Sequence, residues 1–219
     1  MSSDPWPLYS LCLTTPRLQL RPPTDDEYVS VCEVAERGVH DPGTMPFSQE
    51  WTDAPGGELT ANAFRFLWHT RAAWKPQSWH LEFAVFLDGQ PIGMKGIWAD
   101  QFAITREFAT GSWLGRAYQG QGYGTEARAA VLHLCFRYLG ARWANSQAYE
   151  DNVPSRRLNE RLGYREDGFD IRVRRGQAAR WMRYRLAAHD WVGRHGLDGQ
   201  ITVAGFDACR DMFCGAGEG

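Results

Sequence analysis

Long apolar runs are missing from this sequence, and so are a dominant charge sign, paired cysteines and internal repeats. No stretch approaches the roughly 18 apolar residues of a membrane span. Met1 is followed by polar and proline-rich residues rather than by a basic region and an apolar run. The expectation is a soluble, cytoplasmic chain with no membrane partner. A net charge of −2 and a pI near 6.3 supply no global basic field for nucleic acid. The five cysteines (Cys12, Cys32, Cys135, Cys209 and Cys214) are odd in number and scattered, without a C-x-x-C pair. That pattern argues against a disulfide framework or a zinc site, and no metal is expected; free thiols in a reducing cytosol fit it better.

Tryptophan is what the chain has in excess. Ten are present, and Trp51, Trp68, Trp74 and Trp79 fall within one short region. Such rings either fill a core with large apolar area or wall a substrate cleft. At 219 residues the chain is long enough for one well-buried domain with elaborated ends.

The periodicities give an order of elements. An irregular arm, residues 1–13, precedes a short alternating strand at Arg17 to Arg21. Thr24 with Glu27 three residues later forms a capping-box pattern, and the helix it starts keeps Tyr28, Val31, Cys32 and Ala35 on one face. Prolines and glycines make residues 38–57 a loop before a helix from about Glu58 to Ala73. Strands Leu81 to Leu87 and Ile92 to Trp98 flank a tight turn at Asp88-Gly89-Gln90-Pro91, a hairpin signal. A strand at Gly111 to Leu114 leads into a glycine loop. Its following helix carries Ala127, Ala130, Val131, Leu134 and Tyr138 at helical spacing and ends at Gly140. Strand Arg142 to Tyr149, a helix opened by Asn152-Val153-Pro154-Ser155, and two strands around a Gly176 turn complete the pattern. The fold class is α/β, a mixed sheet with helices packed on it, in one domain over residues 14–193; residues 194–219 read as an irregular, glycine-rich tail.

The loop Gln119-Gly120-Gln121-Gly122-Tyr123-Gly124 carries the chemistry. Three glycines at alternate positions let a ligand approach the backbone, and at a helix start the free amides and the dipole favour an anion. No Gly-Lys-Ser/Thr ending is present, so a nucleoside-triphosphate loop is excluded. Gly122, Gly124 and Ala127 satisfy the dinucleotide spacing G-x-G-x-x-A. However, the five residues from Gly115 to Gln119 separate strand from loop, and an antiparallel hairpin precedes it, both foreign to that fold.

The spacing Gln119-x-x-Gly122-x-Gly124 resembles the pyrophosphate loop of the GNAT acetyltransferases. Thr15-Pro16-Arg17-Leu18-Gln19-Leu20-Arg21 resembles the first strand of their ribosomal-protein-alanine acetyltransferase (RimJ/RimL-like) branch. Gly111-Ser112-Trp113-Leu114-Gly115, Gly124-Thr125-Glu126-Ala127, Asp151-Asn152-x-x-Ser155 and Leu162-Gly163-Tyr164 continue the likeness. Residues 111–168 are also similar to an actinobacterial subgroup linked to succinyl-CoA. The resemblance spans about Thr14 to Trp191. It implies a central, mostly antiparallel sheet in which a bulge splays two parallel strands around an acyl-CoA. Acetyl-CoA or succinyl-CoA would be the donor, and a primary amine of a protein or peptide N-terminus, a lysine or a small molecule the acceptor.

By the same resemblance, the amides of Gln119, Gly120, Gln121, Gly122, Tyr123, Gly124 and Thr125 hold the pyrophosphate, and the main chain at Trp113 and Leu114 binds the pantetheine. Many relatives place a proton-donating tyrosine where this chain has Asn159. Ser155 is therefore the expected acid for the departing thiol, with Asn152 as a CoA contact. Asn and Ser there also suit plain helix capping. Glu82 is the expected base, with Glu107 and Asp100 behind it, and a water chain would serve without any of them. Arg172, Arg174, Arg175, Arg180, Arg183 and Arg185 either bind a carboxylate-bearing acyl chain or form a solvated surface ladder. Family habit and the aromatic-rich surface add a homodimer to the expectations. A non-catalytic acyl-CoA sensor or scaffold is the alternative function.

Overall fold

Alternating burial along each strand builds the molecule outward from one sheet. In the computed structural model, which describes residues 5–55, 57–191 and 196–214, nine strands align. They are β1 Cys12–Thr14, β2 Leu18–Arg21, β3 Ser78–Leu87, β4 Gln90–Asp100 and β5 Glu107–Leu114, then β6 Trp143–Tyr149, β7 Arg165–Arg174, β8 Gln177–Ala187 and β9 Thr202–Ala204. Their spatial order is β7-β8-β6-β5-β4-β3-β2-β1-β9. Every neighbouring pair is antiparallel except β5 and β6.

Helices cover both faces. On one, α1 (Asp25–Glu36) and α2 (Glu58–Ala72) pack Tyr28, Val31 and Leu67 against Ala84, Phe86 and Met94. On the other, α4 (Tyr123–His133) lies over Phe83, Val85 and Ile97, the strand positions that alternate with the first set. Between them in sequence comes the short α3 (Phe102–Thr105), and α5 (Val153–Arg161) follows β6. The run expected to stay helical to Tyr138 instead loosens into a π-helical turn at Leu134–Tyr138. The β3–β4 turn has Asp88 at φ 48° and Gly89 at φ 77°. Two consecutive positive φ values match strand twist across a two-residue hairpin.

Both ends of the chain depart from the sequence reading. The arm is not wholly irregular: Leu8, Leu11 and Leu13 are fully buried, and β1 pairs with β2 and β9. The tail expected to be irregular supplies β9 and the short helices α7 (Phe206–Cys209) and α8 (Asp211–Cys214), while α6 (Ala188–Trp191), a short helix expected after the last hairpin, precedes it. Trp74 and Trp79 donate their indole N–H groups to the carbonyls of Met212 and Phe213, at 3.0 and 3.1 Å. Those two tryptophans are packing residues, whereas Trp51 lines a cleft and Trp68 sits half-exposed on α2.

The capping box at Thr24 is formed: its hydroxyl accepts from the Glu27 amide, and the Glu27 carboxylate accepts from the Thr24 amide. Arg21 grips the same carboxylate with two bonds of 2.6 and 2.7 Å. Led by the Arg21 hydrogen bond, these contacts hold the Glu27 carboxyl down to about 2 from an ordinary 4.5. A depressed carboxyl stabilises the fold above its unfolded value, and that share is lost as pH falls from about 4.5 towards 2. Thermal unfolding should therefore show Glu27→Gln melting below the parent at pH 7, with the gap narrowing by pH 3.

Candidate active site

β5 and β6 run side by side for only three residue pairs, Glu107–Trp143, Phe108–Ala144 and Ala109–Asn145. Beyond Ala109 no β6 residue pairs with β5, although β5 continues to Leu114 and β6 to Tyr149. The expected bulge is not what separates them, because the β4–β5 ladder runs from Gly93–Leu114 to Trp98–Ala109 without a register shift. A cleft of about 1070 Å³ opens at this parting.

The glycine loop forms one wall. Gly120 and Gly122 have φ values of 75° and 86°, which side chains other than glycine adopt at a cost. Gly122 is the N-cap of α4, so the free amides of that helix's first turn open beside the cleft. A Cβ at Gly120 would meet no protein atom within 4 Å, leaving the approach open to a ligand.

A buried carboxylate fixes the loop's shape. Glu126, 4% exposed, accepts from the Thr15 hydroxyl at 2.6 Å, the Arg17 amide at 2.9 Å and the Arg17 guanidinium at 2.7 Å. Arg17 also donates to the Gln121 carbonyl at 3.1 Å and stacks over the Tyr123 ring. The Gln119 amide group donates to Val39 and Leu114 carbonyls at 2.6 and 2.7 Å, bridging the segment after α1 to the end of β5.

Of the residues expected to bind the donor, Trp113, Leu114, Gln119, Gly120, Gly122, Gly124, Thr125, Asn152 and Ser155 line the cleft. Gln121 and Tyr123 do not: Gln121 turns back to the Ala117 carbonyl, and Tyr123 packs under Arg17. Asn152 caps α5 by accepting from the Ser155 amide at 3.2 Å.

Glu82 also lines the cleft, and its Oε1 lies 2.7 Å from His80 Nε2. His80 is a functional candidate the sequence reading passed over; its only local signal is a position two residues away on the same strand face. Its ring packs against Trp98 and Phe66. Gly96 leaves the space that the Glu82 carboxylate occupies, since a Cβ there would collide with Oε1. Neither other acid lines the cleft: Glu107 is engaged by Arg185 and Asn145, and Asp100 is exposed.

Asn159 is fully buried and accepts from Arg128 at 2.6 Å. The late arginines already have partners, Arg174 with one that also lines the cleft. Arg174 pairs with Asp151, Arg180 with Glu150, Arg183 with Asp170 and Arg185 with Glu107, while Arg172 stacks on Trp181. Arg175 bonds Asp53, Glu50 and the Pro42 carbonyl, tying the loop of residues 38–55 to the β7–β8 turn. This contact holds the Asp53 carboxyl below its usual range. Among the described residues no group of His, Cys, Asp or Glu is arranged to hold a metal ion, and no helix is long and apolar enough to cross a membrane.

Arg17→Ala would strip the Glu126 carboxylate of its guanidinium while leaving it buried. The expected loss is on the order of 2–3 kcal/mol, or about 5–10 °C in melting temperature, read by thermal denaturation. CoA affinity measured by titration should fall with it, because the loop loses its anchor.

Comparison with known proteins agrees with this geometry. Residues 17–165 match the family model described as an acetyltransferase (GNAT) domain. Mycobacterium smegmatis RimJ, solved in complex with CoA-disulfide, superposes with a TM-score of 0.69 at 19% identity, covering 89% of this chain and 97% of that one. A ribosomal-protein-serine acetyltransferase structure from Vibrio cholerae gives 0.62 at 25% identity, over 85% and 99%. RimL, a ribosomal L7/L12 alpha-N-protein acetyltransferase solved with coenzyme A, gives 0.64 at 13% identity, over 79% and 95%. The glycine loop on the parted strands and the match over residues 17–165 make this chain a member of the GNAT family of acyl-CoA-dependent N-acetyltransferases.

Proposed function

We propose that the protein moves an acetyl group, or a succinyl group, from acyl-CoA to a primary amine. The amine belongs to a protein or peptide N-terminus or to a small molecule, and it attacks directly within a ternary complex. The observation that carries this reading is that Glu82 and Ser155 line the same cleft as the glycine loop, where β5 and β6 part. Acetyl-CoA comes first as donor, because the late arginines that would grip an acyl carboxylate are already paired or stacked. A protein N-terminus comes first as acceptor, since RimL is described as acting on the N-terminus of a ribosomal protein.

In this reading the amides at the start of α4 hold the pyrophosphate, and the end of β5 near Trp113 and Leu114, which no β6 residue pairs, takes the pantetheine. Fixed main-chain donors matter most when the carbonyl oxygen becomes an oxyanion. An α-amino group near pKa 8 is only partly neutral at pH 7. Glu82, steadied by His80, takes the proton that the attacking nitrogen must lose. Holding amine and thioester together removes much of the entropic barrier. Ser155 delivers a proton towards the departing sulfur, directly or through water.

The test is thiol release on mixing the protein with acetyl-CoA or succinyl-CoA and a panel of peptide and small amines. Turnover is expected, with Glu82→Gln lowering kcat about 10²- to 10⁴-fold. CoA binding without turnover across the panel would instead favour the sensor reading.

The reading extends to a homodimer through the sheet edge β7. Phe169, Ile171 and Val173 stand 46%, 62% and 74% exposed on one face of that strand. A second β7 laid antiparallel with its dyad at Ile171 sets Phe169 opposite Val173 and Asp170 opposite Arg172. Apolar pairs and opposite charges then fall in register, and an open edge is covered. Light scattering should show a dimer that Ile171→Glu converts to monomer, and Ile171→Cys should cross-link to itself on oxidation. A monomeric parent at tens of micromolar would remove this part.

A further inference from the structure

Two basic side chains are buried beside the parting of β5 and β6 with no carboxylate bonded to either. Arg128 is 4% exposed and Lys95 fully buried. Lys95 donates to the Thr110 hydroxyl and, at 3.1 Å, to the Gly111 carbonyl. Arg128 donates to the Ser146 hydroxyl at 3.0 Å and the Asn159 carbonyl at 2.6 Å. Thr110 and Ser146 are the first residues of β5 and β6 past their last parallel pair, so a cation stands behind each wall of the opening. Arg128 and Thr110 both line the cleft. Among the described residues Arg128 has no salt-bridge partner, and its Nε has no hydrogen-bond partner.

An uncompensated guanidinium in such a place costs several kcal/mol of desolvation unless an anion joins it. Two buried neighbours make the excess plain. Burial and Arg128 push the Lys95 ammonium well below its usual range, and burial lowers Arg128 itself. The other titratable groups facing this region are Cys135 from the turn after α4, Tyr164 after α5 and, from β3, Glu82. None supplies a carboxylate bonded to either cation.

We propose that Arg128 is a catalytic residue whose fixed charge takes up the negative charge of the departing CoA sulfur. The side-chain carbonyl of Asn159 holds the guanidinium in place. This inference rests on the acyl-transfer reading above. The amine nitrogen forms a bond to the thioester carbon, and the carbonyl electron pair moves onto oxygen. The carbonyl then re-forms as the C–S bond breaks, with that bond's electron pair passing to sulfur. The nitrogen's surplus proton goes to Glu82. An arginine does not deprotonate in this range, so it stabilises the thiolate without giving up a proton. A proton reaches the sulfur afterwards from Ser155 or solvent.

The test uses the whole protein saturated with CoA. Thiolate absorbance in the ultraviolet is followed against pH, with desulfo-CoA as blank. A free thiol titrates near about 8.5; beside Arg128 the bound thiol should titrate at least about one unit lower. Arg128→Gln should return it to the free value and cut kcat for acetyl transfer about 10²-fold, with KM for acetyl-CoA little changed. Arg128→Lys should keep part of both effects. A bound thiol that titrates like free CoA in the parent protein overturns the proposal, whether or not any variant folds. So does an Arg128→Gln protein that transfers acetyl normally but loses affinity for succinyl-CoA alone, since the guanidinium would then read an acyl carboxylate. Failure to bind CoA or transfer any acyl group would sink the underlying acyltransferase reading, and this one with it.

Discussion

Glu126 is a carboxylate kept almost wholly out of water, and the glycine loop has its shape because of the groups that keep it there. Burying such a charge is tolerable only when its lone pairs are filled by well-placed donors. Thr15 and Arg17 supply them from the turn between β1 and β2, more than a hundred residues earlier in the chain. The glycines permit positive φ but do not select it. Selection comes from the guanidinium, which meets the first-turn acid of α4 and the Gln121 carbonyl at once. An acid at a helix start also sits favourably in the dipole. The first strand, the loop and the helix start are thereby one rigid unit.

That unit sets where the strands can part. With α4 fixed over β5 by Ala127, Val131 and their neighbours, the helix start overlies the end of β5. β6 enters from the far side of the helical turn and pairs only at the strand beginnings. Past Ala109 the β6-facing side of β5 then meets a gap instead of a strand, while its other side stays paired with β4. Unpaired backbone groups are costly when dry, so the gap suits a ligand that itself presents amides. A pantetheine arm is such a ligand. The cleft thus follows from one constraint, a helix start locked above two strands that do not stay paired.

The parts legible in the sequence are those whose causes are local. Asp88-Gly89 sets a hairpin by its own dihedrals, and Thr24 with Glu27 starts a helix by their own hydrogen bonds. The glycine loop announces itself by spacing. β1 and β9 left no trace, because three-residue strands are held by partners nearly two hundred residues away. α8 is held likewise by indole donors from Trp74 and Trp79. Among the site residues, Gln121 and Tyr123 belong to the motif yet face away, since Arg17 recruits one for its carbonyl and the other for its ring. His80 and Arg128 were invisible for the opposite reason. A histidine in a strand and an arginine in an otherwise apolar helix face acquire meaning only when Glu82 and Asn159 are brought beside them.

The same contrast separates the two substrates. The donor side is built from neighbouring segments around one loop, so a motif can describe it. The rest of the cleft wall draws on Trp51 and the loop of residues 38–55, Phe66 on α2, His80 and Glu82 on β3, and Arg174 on β7, which no short pattern joins. Arg175 then ties that loop to the β7–β8 turn through Asp53, Glu50 and Pro42. A surface ion pair of this kind contributes little stability by itself. Its weight is geometric: the contacts hold that loop to the β7–β8 turn, and long loops placed over a rigid sheet are where specificity changes most freely. A protein that alters its acceptor therefore has no need to alter Glu126, Arg17 or the glycines, and the donor motif carries no information about what is acylated.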